Sequence, residues 1–170
     1  MACASIIRWR LTEMDAQSEK LLLHILRASR IAALGTAHDE EPRVSMVAFV
    51  PAPDFCEYHI HVSRLAQHTV DMQKNRQVSL LITEADDGRP DPQTLGRLSI
   101  RGSAEFMVNG EPGYTPAKAR YIERFPESAP RFLLGDFSLW RIKLKGARFV
   151  AGFAKAFNLT PEALQKLAQK

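Results

Sequence analysis

Apolar residues recur at Leu21, Leu22, Ile25 and Leu26, one stripe of a helix, and the spacing predicts a helix over about residues 14–29. Asp15 or Ser18 is placed to cap it, and Arg27 and Arg30 suit its negative C-terminal end. The period then changes to that of strands. Ile31 to Thr36 is a short apolar run, His38-Asp39-Glu40-Glu41-Pro42 a polar turn, and Arg43 to Val50 a second extended run. Pro51-Ala52-Pro53-Asp54 predicts a turn, after which Tyr58 to Val62 runs back. Ser63 to Thr69 opens a helix that must end near Asn75, because Val78 to Ile82 is a dense buried-strand signal. Thr83 to Leu95 holds Pro90 and Pro92 and reads as a loop. Leu98 to Val108 alternates as a long strand, with Gly102 marking a bend or a bulge. A helix is expected from about Pro116 to Phe125, stopped by Pro126. Phe137 to Leu144 and Ala147 to Val150 predict a final hairpin around Lys145-Gly146. Thr160 and Pro161 start a short terminal helix over about 160–168.

Strands at short spacing, interrupted by few helices, argue for an antiparallel barrel with helices at its ends, a mainly β, α+β fold, and against a doubly wound parallel sheet. At 170 residues the chain is expected to form a single domain over 1–170. A hydrophobic share of 45% with 25% charged residues is that of a folded globular protein. The net charge of +4 is scattered, which permits an anionic ligand without pointing to nucleic acid. Cys3 and Cys56 form no CxxC and no disulfide framework, so a reduced compartment is expected. Met1 to Trp9 is too short an apolar stretch for a signal peptide, and Arg8 and Arg10 interrupt it. No run of about 18 apolar residues occurs, so the expectation is a soluble, cytoplasmic protein with no membrane partner. Walker A, GxGxxG and nucleophile-elbow patterns are absent, which argues against nucleotide hydrolysis, a Rossmann site and acyl transfer.

The chemistry gathers between Arg43 and Ile82. A strand that ends in Ser63-Arg64 at a helix start collects hydroxyls, a guanidinium and free backbone N–H groups, which suits a phosphate. Arg43 and Arg64 offer forked donors, and Ser45, Ser63 and Thr69 offer hydroxyls. Each has a plainer alternative: Arg64 as a surface residue, Ser63 and Thr69 as a helix cap and a first-turn hydroxyl, Arg43 in an ion pair with Glu40 or Glu41. His59 and His61 share a strand face near Cys56, but two half-exposed strand histidines are the blander account, and no metal site is expected. Trp140 reads as a core aromatic or as one that packs on a ligand or across an interface.

The order of Ala33-Leu34-Gly35-Thr36, Pro42 to Val47, Val62 to Thr69, Asn75 to Leu81 and Gly135-Asp136-Phe137 resembles the FMN-binding split-barrel family, which includes pyridoxamine 5′-phosphate oxidase. Ser63-Arg64-Leu65-Ala66-Gln67-His68-Thr69 and Val150 to Ala156 look most like its heme-utilisation branch, and the likeness covers roughly residues 20–156. What the resemblance implies is a six-stranded antiparallel split barrel, a homodimer, and FMN in a groove at the dimer interface, with an unknown small-molecule substrate. It implies that Arg43, Val44, Ser45 and Met46 lie along the flavin and that Ser63, Arg64 and Thr69 stand near its phosphate. The family oxidase's pair of basic phosphate ligands falls on Gln67 and His68, its strand-end Lys on Ala48, and its flavin-contacting Gln on Arg97. Those departures point away from pyridoxamine phosphate oxidation and leave a small FMN-dependent oxidoreductase as the expectation, with no catalytic residue assigned. A heme- or protein-binding module, with His68 as a heme ligand, and a flavin reservoir or regulator are the alternatives. With only a short helix before Lys170, the extra C-terminal domain of the heme branch is expected to be missing. No role attaches to Gly152 to Ala156.

Overall fold

The computed structural model describes residues 14–170; Cys3 and the Met1–Trp9 stretch lie outside the described residues. The first helix, α1 (Ala16–Ala28), starts where expected: Asp15 accepts the Ser18 N–H at 2.9 Å and so satisfies one orphan donor. Its apolar stripe puts Leu22, Ile25 and Leu26 into the core.

β1 (Ile31–His38) and β2 (Glu41–Ala48) pair along their whole length. The polar turn between them is narrower than the sequence suggests. Asp39 and Glu40 alone form it, both with positive φ (45° and 72°), as a two-residue hairpin turn of matching twist requires. His38, Glu41 and Pro42 belong to the strands. After Phe49 come β3 (Val50–Pro51) and β4 (Glu57–Ser63), then α2 (Gln67–Lys74) and β5 (Gln77–Thr83). The loop from 84 to 96 holds a 3-10 turn at Pro92–Thr94 and leads into β6 (Arg97–Phe106). α3 (Tyr114–Arg124) and a 3-10 segment (Pro126–Leu133) precede β7 (Phe137–Val150), β8 (Ala156–Leu159) and α4 (Pro161–Ala168).

The described residues form one antiparallel sheet of eight strands, ordered β2-β1-β5-β6-β7-β4-β3, with β8 on β7. The excess over the expected six is a two-residue and a four-residue strand, β3 and β8. The larger correction is β7. It runs unbroken through Lys145-Gly146 and forms no hairpin there. Arg101 faces Gly146 while Gly102 faces Leu144, so Lys145 is the extra residue of a bulge. The inward positions change phase at the same place, with Gly146 and Ala147 both buried.

Strands β2 and β3 stand at opposite ends of this order, yet only Phe49 separates them along the chain. The sheet therefore curls until its ends meet. Inside lie Leu34, Phe49, Tyr58, Ile60, Leu80, Ile82, Leu98, Ile100 and Phe149, with α1 and α4 adding Leu22, Leu26, Leu164 and Leu167. A second cluster under α3 holds Val50, Met107, Ala117, Tyr121 and Leu139. The closure is incomplete. β3 pairs with β4 at Val50–His59 and Pro51–Tyr58, and the ladder does not continue from β2 to β4 beyond Phe49, although the two strands approach each other.

Candidate functional site

That lapse in pairing leaves a cleft of about 740 Å³, walled by Met46, Val47 and Ala48 of β2 and by His61, Val62 and Ser63 of β4. Ala66 and His68 at the start of α2 line it, as do Arg30, Ile31, Tyr121, Phe125 and Arg131. A neighbouring hollow of about 650 Å³ shares Arg30, Ile31 and Met46 and runs over the outer face of β1 and β2, past Val44, Ser45 and Leu81. Volumes of this size suit a small-molecule ligand. Tyr121 spans the split. Its hydroxyl donates to Ala48 O at 3.4 Å, and its ring meets the His61 ring edge to face at 5.8 Å.

The walls are apolar and the rim is basic. Arg30 lies over the Phe125 ring at 5.1 Å and Lys118 over Phe132 at 5.1 Å. Neither Arg30 nor Arg131 has a carboxylate partner among the described residues. His61 is buried, not half-exposed as the sequence suggests, and stacks on Phe132 at 3.7 Å. Burial, with Arg131 and Lys118 nearby, lowers its pKa to about 4. His59 is buried too, and burial with Arg120 likewise brings it down to about 4. Neither belongs to a metal-holding group among the described residues. His68 places Nδ1 3.1 Å from Ser45 Oγ, while its Nε2 has no hydrogen-bond partner. Desolvation lowers its pKa despite the pull of Asp71. The ring is therefore neutral at pH 7, the form that ligates a metal.

The expected phosphate donors are divided between different tasks. Asp71 of α2 is fully buried and accepts from Thr36 Oγ1 at 2.8 Å and from Gln67 Nε2 at 3.0 Å, with His38 Nδ1 at 3.1 Å. Arg43 Nη1 lies 3.5 Å from the same carboxylate and Nη2 lies 3.8 Å from Glu41, the ion pair that was the plainer reading. Burial alone would raise the Asp71 pKa, but these partners hold it below the usual carboxylate range. Thr69 is fully buried and donates to Ser63 O at 2.7 Å. Ser63 ends β4 and does not cap α2; the N-cap is Ala66, which has no side chain to cap with. Arg64 turns to the Phe106 ring at 5.9 Å, and Arg97 Nη1 donates to Gln93 O and Leu95 O at the far end of the sheet. Val44 and Met46 are exposed on the outer face of β2, at 77% and 68%. So Arg43, Ser45, Gln67, His68 and Thr69 come together around α2, while Arg64 and Arg97 do not join them. Asp71 is the residue that sequence reasoning missed. Its apolar neighbours Val70 and Met72 are a faint sign that this position faces inward.

No protein-family model matches the chain. The chloroplast heme oxygenase HOZ of Arabidopsis thaliana is 32% identical over 127 residues, 75% of this chain and 37% of that protein. The heme oxygenase HutZ of Vibrio cholerae is 27% identical over 124 residues, 72% of this chain and 69% of that protein. Among solved structures, a putative pyridoxamine 5′-phosphate oxidase from Listeria innocua superposes with a TM-score of 0.58 at 17% identity, over 79% of this chain and 98% of that one. The chain has the split-barrel fold of that oxidase-like structure. Both of these sequence relatives bear the name heme oxygenase. The chain spans little more than a third of the plant relative. Among the described residues no helix is long and apolar enough to cross a membrane.

Proposed function

We propose that this protein binds heme in the split of its barrel. The observation that carries the reading is the cleft's composition: apolar walls, two unpaired guanidiniums at the rim, and a neutral histidine. Such a site matches a flat apolar macrocycle with two carboxylates and one open coordination position. Arg30 and Arg131 would meet the carboxylates, Ile31, Met46, Val47 and Val62 the ring, and His68 would offer Nε2 to the iron. Bound heme would supply iron-centred oxygen or electron chemistry. The chain's own part is to exclude water, orient the His68 ring through Ser45 and keep it neutral through burial. Two curated relatives bear the name heme oxygenase, which favours the same cofactor.

The test is a visible-region titration of the purified protein with hemin. A saturable Soret shift is expected for the wild type, at one heme per cleft, with at least tenfold weaker binding in His68→Ala. No shift at all removes the proposal. Bleaching of that band by a reductant in air would extend it to heme breakdown.

FMN is the second reading, and one observation favours it: the start of α2 carries no side-chain cap, beside the Ser45 hydroxyl. An added flavin that quenches on mixing, in protein that ignores hemin, selects this reading instead. We also propose a homodimer through the outer face of β1, β2 and β5. There Ile31, Val44, Met46 and Leu81 are exposed side by side, with Ala33 opposite both Met46 and Leu81.

A further inference from the structure

A further pocket opens at the end of the barrel beside α2 and shares no lining residue with the cleft. It holds about 360 Å³ and is lined by Arg64, Gln73, Arg76, Phe106 and Trp140, with Met72 and Ser138 at its base. Met72 and Trp140 belong to the barrel core, so the pocket is a mouth of the barrel, a place where ligands are commonly seated. Phe106 is 43% exposed, and Trp140 meets it edge to face at 5.7 Å. The indole N–H is already spent on Ser138 Oγ at 3.0 Å, so the tryptophan offers the pocket an aromatic surface and no donor.

The donors come from elsewhere. Arg64 and Arg76 are both exposed, and neither has a carboxylate partner among the described residues. No acidic residue lines the pocket. Arg64 instead rests its guanidinium over Phe106 at 5.9 Å. Two cations without a carboxylate partner line one opening, and the phenylalanine beside Arg64 is left 43% exposed. A planar ring that carries an anion relieves both at once: the ring covers Phe106, and the anion takes forked hydrogen bonds from the two arginines.

We propose that this pocket binds a small aromatic anion, of the size and charge of a nucleoside monophosphate, independently of what occupies the cleft. Arg64 and Arg76 hold the anion, Phe106 takes the ring, and Gln73 offers an amide to the ring edge. This gives Arg64 a task that its orientation denies it in the cleft.

Isothermal titration with AMP, adenosine and inorganic phosphate separates the parts. AMP is expected to bind saturably and to weaken as salt is raised. Adenosine and inorganic phosphate should each bind at least tenfold more weakly than AMP. Arg64→Ala and Arg76→Ala should each cost AMP at least tenfold, while hemin titrations of both variants match the wild type. Both arginines are exposed, and an unchanged unfolding midpoint verifies that the variants fold. The proposal is overturned if AMP gives no heat with the wild type, or if both variants bind it as well as the wild type. It is also overturned if adenosine or phosphate alone matches AMP.

Discussion

His61 shows how one side chain carries packing, charge and pH response together. It stacks on Phe132, lies edge-on to Tyr121 at 5.8 Å, and faces Arg131 and Lys118. Its folded pKa of about 4 lies below the unfolded value of 6.5, so the unfolded chain binds the proton first as pH falls. The stabilisation is complete above pH 6.5 and is lost as pH falls from 6.5 towards 4. His61→Phe is expected to keep the stacking and remove the titration. Urea unfolding at pH 7.5 and pH 5 should show wild type losing about 2 kcal/mol more than the variant between the two values. An equal loss in both would mean that His61 does not titrate in this window. Arg43 carries the opposite lesson. In the sequence it reads as equally suited to a phosphate or a carboxylate. The deciding fact is the buried Asp71, 28 positions away along the chain, which needs a cation. Local pattern holds no trace of such a partner.

At the scale of elements, helices and hairpins were legible wherever the signal is local. Asp15 and Thr160 cap α1 and α4 through the N–H groups of Ser18 and Ala163, as their positions suggest. β7 was misread because a Lys-Gly pair between two apolar runs has the same local signature in a turn and in a bulge. Only the neighbouring strand tells them apart. Gly102 on β6 sits at the same irregularity, and a Cβ there would stand 2.6 Å from Ile142 Cγ2 and 2.8 Å from Lys143 O. The second of these is backbone and cannot swing aside. Gly102→Ala should therefore destabilise by about 2 kcal/mol in denaturant titration, with the β6–β7 register strained and not merely refilled. A midpoint equal to wild type would mean that the bulge absorbs a methyl group freely.

For the whole molecule, the barrel depends on pairings that no short window contains. β4 lies against β7, and β1 against β5, across long stretches of chain. Alternation along single strands nevertheless pointed to an antiparallel barrel, since it marks which residues turn inward. The outer face was harder to read, because Val44 and Met46 have the character of core residues and are exposed in the single chain. A second copy of the chain is the covering proposed above. Met46→Glu should shift the molecule from dimer to monomer in sedimentation equilibrium, with near-native circular dichroism. A wild type that sediments as a monomer at high micromolar concentration would refute the dimer.

Phe49 joins the two ends of the curled sheet and is itself buried in the barrel core. On one side β2 is zipped to β1 along its full length; on the other, β3 is held to β4 by only two residue pairs. The opening thus resembles a clasp with one fixed and one lightly held arm, pivoting on the two backbone torsions of a single buried residue. Tyr121 bridges the two arms through Ala48, and Val50 of β3 packs beside it in the cluster under α3. The short β3–β4 ladder is the sparsest pairing beside the cleft, and the amide protons of Val50 and His59 are where local opening would register in hydrogen exchange.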